Sequence, residues 1–389
     1  MKILYLVSGI GPPAGWGTEF IQNLIIKLSQ KGVHATIINP IYKHTHPDWK
    51  IWTKNIEKKN GVNIISLGAP NWIRNKFLLH LSLTPILVTY EVLKLLGKER
   101  FDIIHEFSST PFILLRSELL KFIFKIPTVF TLSVYNNTIL GKLFWFKILD
   151  FAQTYLIPSH TISRQIINLG INKKKVIFSP PGIDLKPFSK KLDKFQSRKK
   201  LGLPANKFIV AYYGSLTREK GVYDLIRAVQ LINGATRKNT LIVLFAIWKG
   251  SKEHQKIKEK IDSLKLPQLE LVEKYVDIPT VLAASDAAIF PQQTGHGATI
   301  PPISIIEALL GKTYIITTKT VGVSEWVDKH NGILLAPNQP ILLAQALKQV
   351  YQEKSVNRTS QKKYKMLSAA FEINNSVKLH LSLYKSYVL

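Results

Sequence analysis

Continuous apolar runs, each bounded by turn residues, alternate with helix-period segments along almost the whole chain. In the first half the runs fall at 2–8, 33–39, 62–67, 102–105, 127–132, 154–157 and 175–178. In the second half "FIVAYYG" (208–214), "TLIVLFAI" (240–247), "LELVE" (269–273), "AAIFP" (287–291) and "YIITT" (314–318) repeat the rhythm. A strand that is apolar throughout must be covered on both faces. Strand–helix–strand repeats provide that cover in a parallel sheet. Between strands, "GTEFIQNLIIKLSQKG" (17–32) has apolar residues at 20, 21, 24, 25 and 28, the spacing of one helical face, with Gly32 as its stop. Residues 220–233 read as the corresponding helix of the second half.

The stretch 180–208 interrupts the rhythm, being rich in Pro, Lys and Ser with little apolar periodicity. With 389 residues the chain exceeds what one core usually supports. The sequence therefore predicts two doubly wound α/β domains, 1–185 and 186–365, with a C-terminal helix at about 366–389 packing back on the first. In such folds ligands bind outside the carboxyl ends of the strands, and two domains in series predict a cleft where they meet.

Composition removes several function classes. There is no cysteine, hence no disulfide, thiolate metal site or cysteine nucleophile. The opening "MKILYLV" runs into a loop with no small-residue cleavage site, so it reads as a first buried strand and not as a signal peptide. The longest apolar stretch, "FLLHLSLTPILVTY" (77–90), is shorter than the ~20 residues a spanning helix needs. The formal charge of +28 is even: residues 1–190 carry 24 Lys and Arg against 10 Asp and Glu, and residues 191–389 carry 29 against 15. No nucleic-acid reading motif accompanies it, so nucleic acid is not an expected partner. Phosphorylated ligands or an anionic membrane surface are, beside the plain alternative of a lysine-rich composition without functional meaning.

Three stretches carry candidate chemistry. "SGIGPPAGWGTEF" (8–20) is a Gly-rich turn between strand and helix, suited to an anion at a helix N-terminus. It is a poor dinucleotide fingerprint, because the second strand ends in Asn39 and Pro40, where an acidic residue would bind ribose. "YYGSLTREKGVYDLIRAV" (212–229) places Arg218 and Lys220 at a strand's carboxyl end, where a lysine can neutralise a diphosphate. In "GATIPPISIIEALLGKTYIITTKTVGVSEWV" (297–327), Ser304 and Glu307 have the S-x-x-E spacing of a capping box. A carboxylate there could instead accept two hydrogen bonds from vicinal hydroxyls.

These segments, with "AASDAAIFP", "LIPSHTISRQIINLGINKKKVIFSPPGID" and "FDIIHEFSS", resemble the GT-B glycosyltransferases of the family 4 type, in matching order from residue 1 to about 350. The resemblance implies an α/β GT-B fold, two Rossmann-like domains with parallel sheets facing across a cleft. It also implies a sugar transfer, with retention, from a nucleotide-sugar donor to a glycan or polyprenyl-phosphate-linked acceptor, with no cofactor and no metal. It assigns Glu307 to the donor ribose, Lys220 to the diphosphate, and Gly15, Gly17 and Ile303 to donor binding. Three positions depart from the family pattern: Thr299 replaces the first glutamate of E-x7-E, Ser215 the usual arginine, and Ser133 a histidine near the anomeric carbon. Ser133 and Arg218 join Lys220 as catalytic candidates. Thr299, Ser215 and His296 join the donor-binding set, with His296, Arg218 and His105 as possible compensation. "HTH" (44–46) alternates like a metal motif but lacks a third ligand. The alternative is a degenerate family member that binds nucleotide sugar or glycan as a partner subunit. Residues 71–98 combine Trp72, Phe77 and many leucines with flanking Arg and Lys. They suit either an interfacial element or a packed helix, so the expected placement is cytoplasmic, with peripheral attachment to the inner face of the membrane as one option.

Overall fold

In a computed structural model the protein is described over residues 1–7, 19–39, 49–67, 77–107, 123–132, 152–246, 251–293, 301–353 and 361–388. The chain divides into two compact units, Met1–Ile183 with Ile373–Leu389, and Asp184–Glu372.

The first unit holds a parallel sheet of β1 (Lys2–Val7), β2 (His34–Asn39), β3 (Asn63–Ser66), β4 (Ile103–Phe107), β5 (Thr128–Thr131), β6 (Thr154–Ile157) and β7 (Val176–Phe178). Its spatial order is β3-β2-β1-β4-β5-β6-β7. β1 and β4 are buried nearly throughout, which explains the apolar run of β1, while β4 buries His105 and Glu106 among its apolar residues. One face is covered by the helix Glu19–Ser29, which buries Ile21, Leu24, Ile25 and Leu28. The helix Ile373–Val388 joins it there, adding Ile373, Val377 and Tyr384 to the same core. Ile373 N–H donates to the Ile183 carbonyl at 3.1 Å. A Cβ on Gly182 would stand 3.0 Å from the Ile373 Cα, a tight contact that glycine avoids at this entry. The opposite face carries the helix Phe77–Leu96, continuous through Pro85, with Val88 and Val92 in the core.

The second unit repeats the plan with β8 (Phe208–Tyr213), β9 (Thr240–Phe245), β10 (Leu269–Val272), β11 (Ala287–Phe290), β12 (Tyr314–Thr318) and β13 (Gly332–Leu335). These are parallel in the order β10-β9-β8-β11-β12-β13. Every strand expected from the sequence is present, and β13 is additional. Both sheets reverse winding direction beside their first strand, at β1/β4 and at β8/β11.

An ion-paired network secures the start of the second unit. Arg198 is buried, pairs with Asp286 at 2.7 Å, and donates to the Ala284 and Ala205 carbonyls. Asp286 also accepts from Ile209 N–H at 2.7 Å, joining the entry helix Lys194–Leu201 to β8 and β11.

Candidate donor-binding site

In a doubly wound sheet the crevice beside the winding reversal is where a ligand is held. In the second unit that point lies between β8 and β11, and the segments leaving those two strands carry Ser215, Arg218, Lys220, Ile303 and Glu307.

The β8 exit is a tight turn. Gly221 N–H donates to the Arg218 carbonyl at 2.8 Å, and Gly221 adopts φ +73 before the helix Val222–Leu231. A Cβ there would come 1.7 Å from the Pro291 carbonyl oxygen, so the turn lies directly on the β11 exit. Two further bonds join these segments: Gln293 N–H to the Glu219 carbonyl at 2.9 Å, and Gln293 Nε2 to Asp224 Oδ2 at 3.1 Å. On this turn Lys220 is half-buried, and its backbone N–H donates to Thr217 Oγ1. Burial pulls the Lys220 ammonium pKa below the ordinary lysine value, against the upward pull of the Glu219 carboxylate. Such an ammonium is incompletely hydrated, which suits it to a diphosphate more than to bulk water.

Arg218 is exposed. Its backbone N–H donates to Glu253 Oε1 at 2.9 Å, and its guanidinium lies over the Tyr223 ring at 5.0 Å. Ser215 is half-buried, and its carbonyl accepts from the Tyr212 hydroxyl at 2.6 Å.

The helix carrying Glu307 begins at Ile303, with Pro302 as N-cap and no side-chain cap. Ser304 is thus inside the helix, and the capping box expected from S-x-x-E does not form. Pro302 supplies a preset φ and a carbonyl that accepts from Ile305 N–H at 3.0 Å, so the helix starts without the serine. Glu307 is half-buried, and its charge helps to push the Tyr213 phenol pKa well above the ordinary value, after burial itself. Tyr213 donates to the Ser304 carbonyl at 2.7 Å.

Lys220, Ser215, Arg218, Ile303 and Glu307 therefore sit on adjoining segments around one winding reversal. Gly15, Gly17, Ser133, His296 and Thr299, with the "HTH" at 44–46, lie outside the described residues. His105 is fully buried in β4, with Nδ1 bonded to the Tyr384 hydroxyl at 2.5 Å and Nε2 to Thr131 Oγ1 at 2.7 Å. Both ring nitrogens are occupied by the core, which leaves it nothing to offer a ligand. Tyr212, Tyr213 and Gln292 were not singled out by the sequence. Gln292 is buried, and its Oε1 has no hydrogen-bond partner among the described residues. Among the described residues no cluster of three His, Cys, Asp or Glu side chains could hold a metal.

Two parallel, doubly wound units, the second with Lys220 and Glu307 beside its switch point, define a Rossmann-like α/β architecture. The family described as Glycosyl transferases group 1 matches residues 193–382, and that described as Glycosyltransferase Family 4 matches residues 17–187. The chain belongs to the family 4 glycosyltransferases of the GT-B fold. Among curated proteins, TuaC of Bacillus subtilis, named as a teichuronic acid biosynthesis glycosyltransferase, is 28% identical over 233 residues. That match covers 57% of this chain and spans about half of TuaC, 54%. Among solved structures, HepE of Anabaena in complex with UDP superposes with a TM-score of 0.72 at 18% identity, covering 99% of this chain and 100% of HepE. Sucrose-phosphate synthase of Thermosynechococcus elongatus reaches 0.80 at 18% identity, with 99% of each chain covered.

Proposed function

We propose that this protein transfers a sugar, with retention and without a metal, from a nucleotide-sugar donor to a glycan or polyprenyl-phosphate-linked acceptor. One observation carries the reading. Lys220 and Glu307 are delivered to the same switch point: the Lys220 turn is hydrogen-bonded to the β11 exit through Gln293, and the helix bearing Glu307 is tied to the end of β8 through Tyr213. Lys220 neutralises the donor diphosphate and stabilises it as it departs, while Glu307 accepts from the two ribose hydroxyls. Ser215, Ile303 and Arg218 complete the donor set on this unit. Gly15, Gly17, Ser133, His296 and Thr299 belong to the same proposal on sequence grounds. Structures of HepE are described with UDP and with UDP-glucose, so UDP is the first nucleotide to test. The name of the Bacillus subtilis relative makes a teichuronic acid chain the first acceptor to try.

The helix Phe77–Leu96 supports a second contact, with an anionic membrane surface. Ile86 is 61% exposed, Tyr90 62% and Leu93 38%, one apolar stripe at helical spacing, and Lys94, Lys98 and Arg100 are exposed beside it. No described helix is long and apolar enough to cross a membrane.

The experiment is thermal stabilisation by nucleoside diphosphates and nucleotide sugars, for wild type and Glu307→Ala. Ligand at 100 times its dissociation constant adds ~2.7 kcal/mol, and the mutant is expected to lose that shift. A wild type that no nucleotide stabilises refutes the donor site. Binding without turnover of any sugar would point to the partner-subunit role, for which Thr299, Ser215 and Ser133 are the sequence grounds.

A further inference from the structure

We propose that Tyr213 is a positioning residue for Glu307, holding the carboxylate where it can receive both ribose hydroxyls; this rests on the reading of Glu307 given above. β8 ends in two tyrosines whose side chains leave opposite faces of the sheet. Each is buried, and each hydroxyl donates to a backbone carbonyl of the candidate site. Tyr212 holds Ser215, at the start of the turn that bears Lys220, at 2.6 Å. Tyr213 holds Ser304, in the first turn of the helix that bears Glu307, at 2.7 Å.

The second bond is placed to control an angle. The bond is to the Ser304 main-chain carbonyl, about one helical turn before Glu307, so it fixes the start of the helix that carries the carboxylate. That helix has no side-chain cap at its start, so its first turn is not fixed by a capping side chain of its own. The Tyr213 ring is itself immobilised, edge-on to Phe290 at 5.1 Å and 88°. Phe290 is the last residue of β11, so the ring refers the helix start to both strands of the switch point. Burial, reinforced by the Glu307 charge, keeps the phenol neutral and therefore a donor throughout the working pH range.

A merely structural tyrosine would change stability and leave ligand discrimination alone, so the readout is discrimination. Dissociation constants are measured for whichever of UDP, GDP and ADP stabilises the wild type most, and for its 2′,3′-dideoxy counterpart. The wild type is expected to prefer the ribose form on the order of 10- to 100-fold, the range for hydrogen bonds to a charged group. Tyr213→Phe, which keeps the ring, and Tyr213→Leu, a second apolar replacement, should both bring the preference within about threefold, close to Glu307→Ala. The dideoxy constant should stay near its wild-type value. Tyr212→Phe, the same deletion on the other face, should keep the preference. A discriminating wild type whose Tyr213 variants still discriminate overturns the positioning role and leaves the donor site standing. A wild type that binds both forms equally, or neither, overturns the ribose role of Glu307 and this inference with it.

Discussion

Gly221 offers a quantitative test, because the second unit contains its own control. Gly221 and Gly202 have nearly the same backbone conformation, φ +73 and φ +75, and both flank helices. A Cβ at Gly202 meets nothing within 4 Å, whereas one at Gly221 stands 1.7 Å from the Pro291 carbonyl oxygen. Alanine at either site incurs the left-handed backbone cost, roughly 1–2 kcal/mol. At Gly221 the overlap adds the strain of an overpacked site, typically about 1–3 kcal/mol. The bonds from Gln293 to Glu219 and Asp224 resist the shift that would relieve it. Gly202→Ala should therefore cost about 1–2 kcal/mol and Gly221→Ala about 2–5 kcal/mol. In a unit of this size each kcal/mol lowers the melting temperature by about 2–4 °C. Differential scanning calorimetry of the two variants isolates the steric part as their difference. If Gly221→Ala melts no lower than Gly202→Ala, the close approach to Pro291 is not the constraint argued here.

The first unit should be acid-sensitive through its buried histidines. Burial pushes the His380 pKa down to about 4 and holds His105 well below the ordinary value, so both are neutral when folded. The unfolded chain takes up protons near pH 6.5 and the folded one does not, so stability is lost as pH falls from about 6.5 to about 4. At ~1.4 kcal/mol per pH unit His380 alone accounts for about 3 kcal/mol. Urea unfolding at pH 7 and pH 4 should show this loss reduced in His380→Gln, and an unchanged pH slope would refute it. Replacing Ile86, Tyr90 and Leu93 together with Ser should lower co-sedimentation with phosphatidylglycerol vesicles several-fold. Undiminished binding would remove the helix Phe77–Leu96 from any membrane contact.

The sequence was most legible where burial is two-sided. β1, β8 and β9 are almost wholly apolar because helices cover both faces, and their runs stand out without periodicity. β13 was missed for the opposite reason. Gly332–Leu335 is a short edge strand, mostly half-buried, following Asn331 and lacking any alternation. The capping-box expectation failed on a local detail: Pro302 can start a helix unaided, and spacing alone does not say where the first turn begins. Lys220 and Glu307 were singled out through family resemblance, by motif order alone. Tyr213 was not, because a tyrosine closing an apolar strand looks like core, and its partner Ser304 lies 91 positions away. His105 looked available for chemistry for the same reason, its partner Tyr384 being 279 positions distant.

The interrupted first unit has a consequence for biosynthesis. Its sheet face accepts Ile373, Val377 and Tyr384 from a helix that a ribosome makes only after the whole of residues 184–372. The second unit is continuous and can fold as soon as it emerges. The first must wait with Tyr5, Ile25 and Phe107 partly uncovered, for as long as translation of the intervening segment takes. The earlier-made half of this molecule is therefore the later one to complete the cover of its sheet.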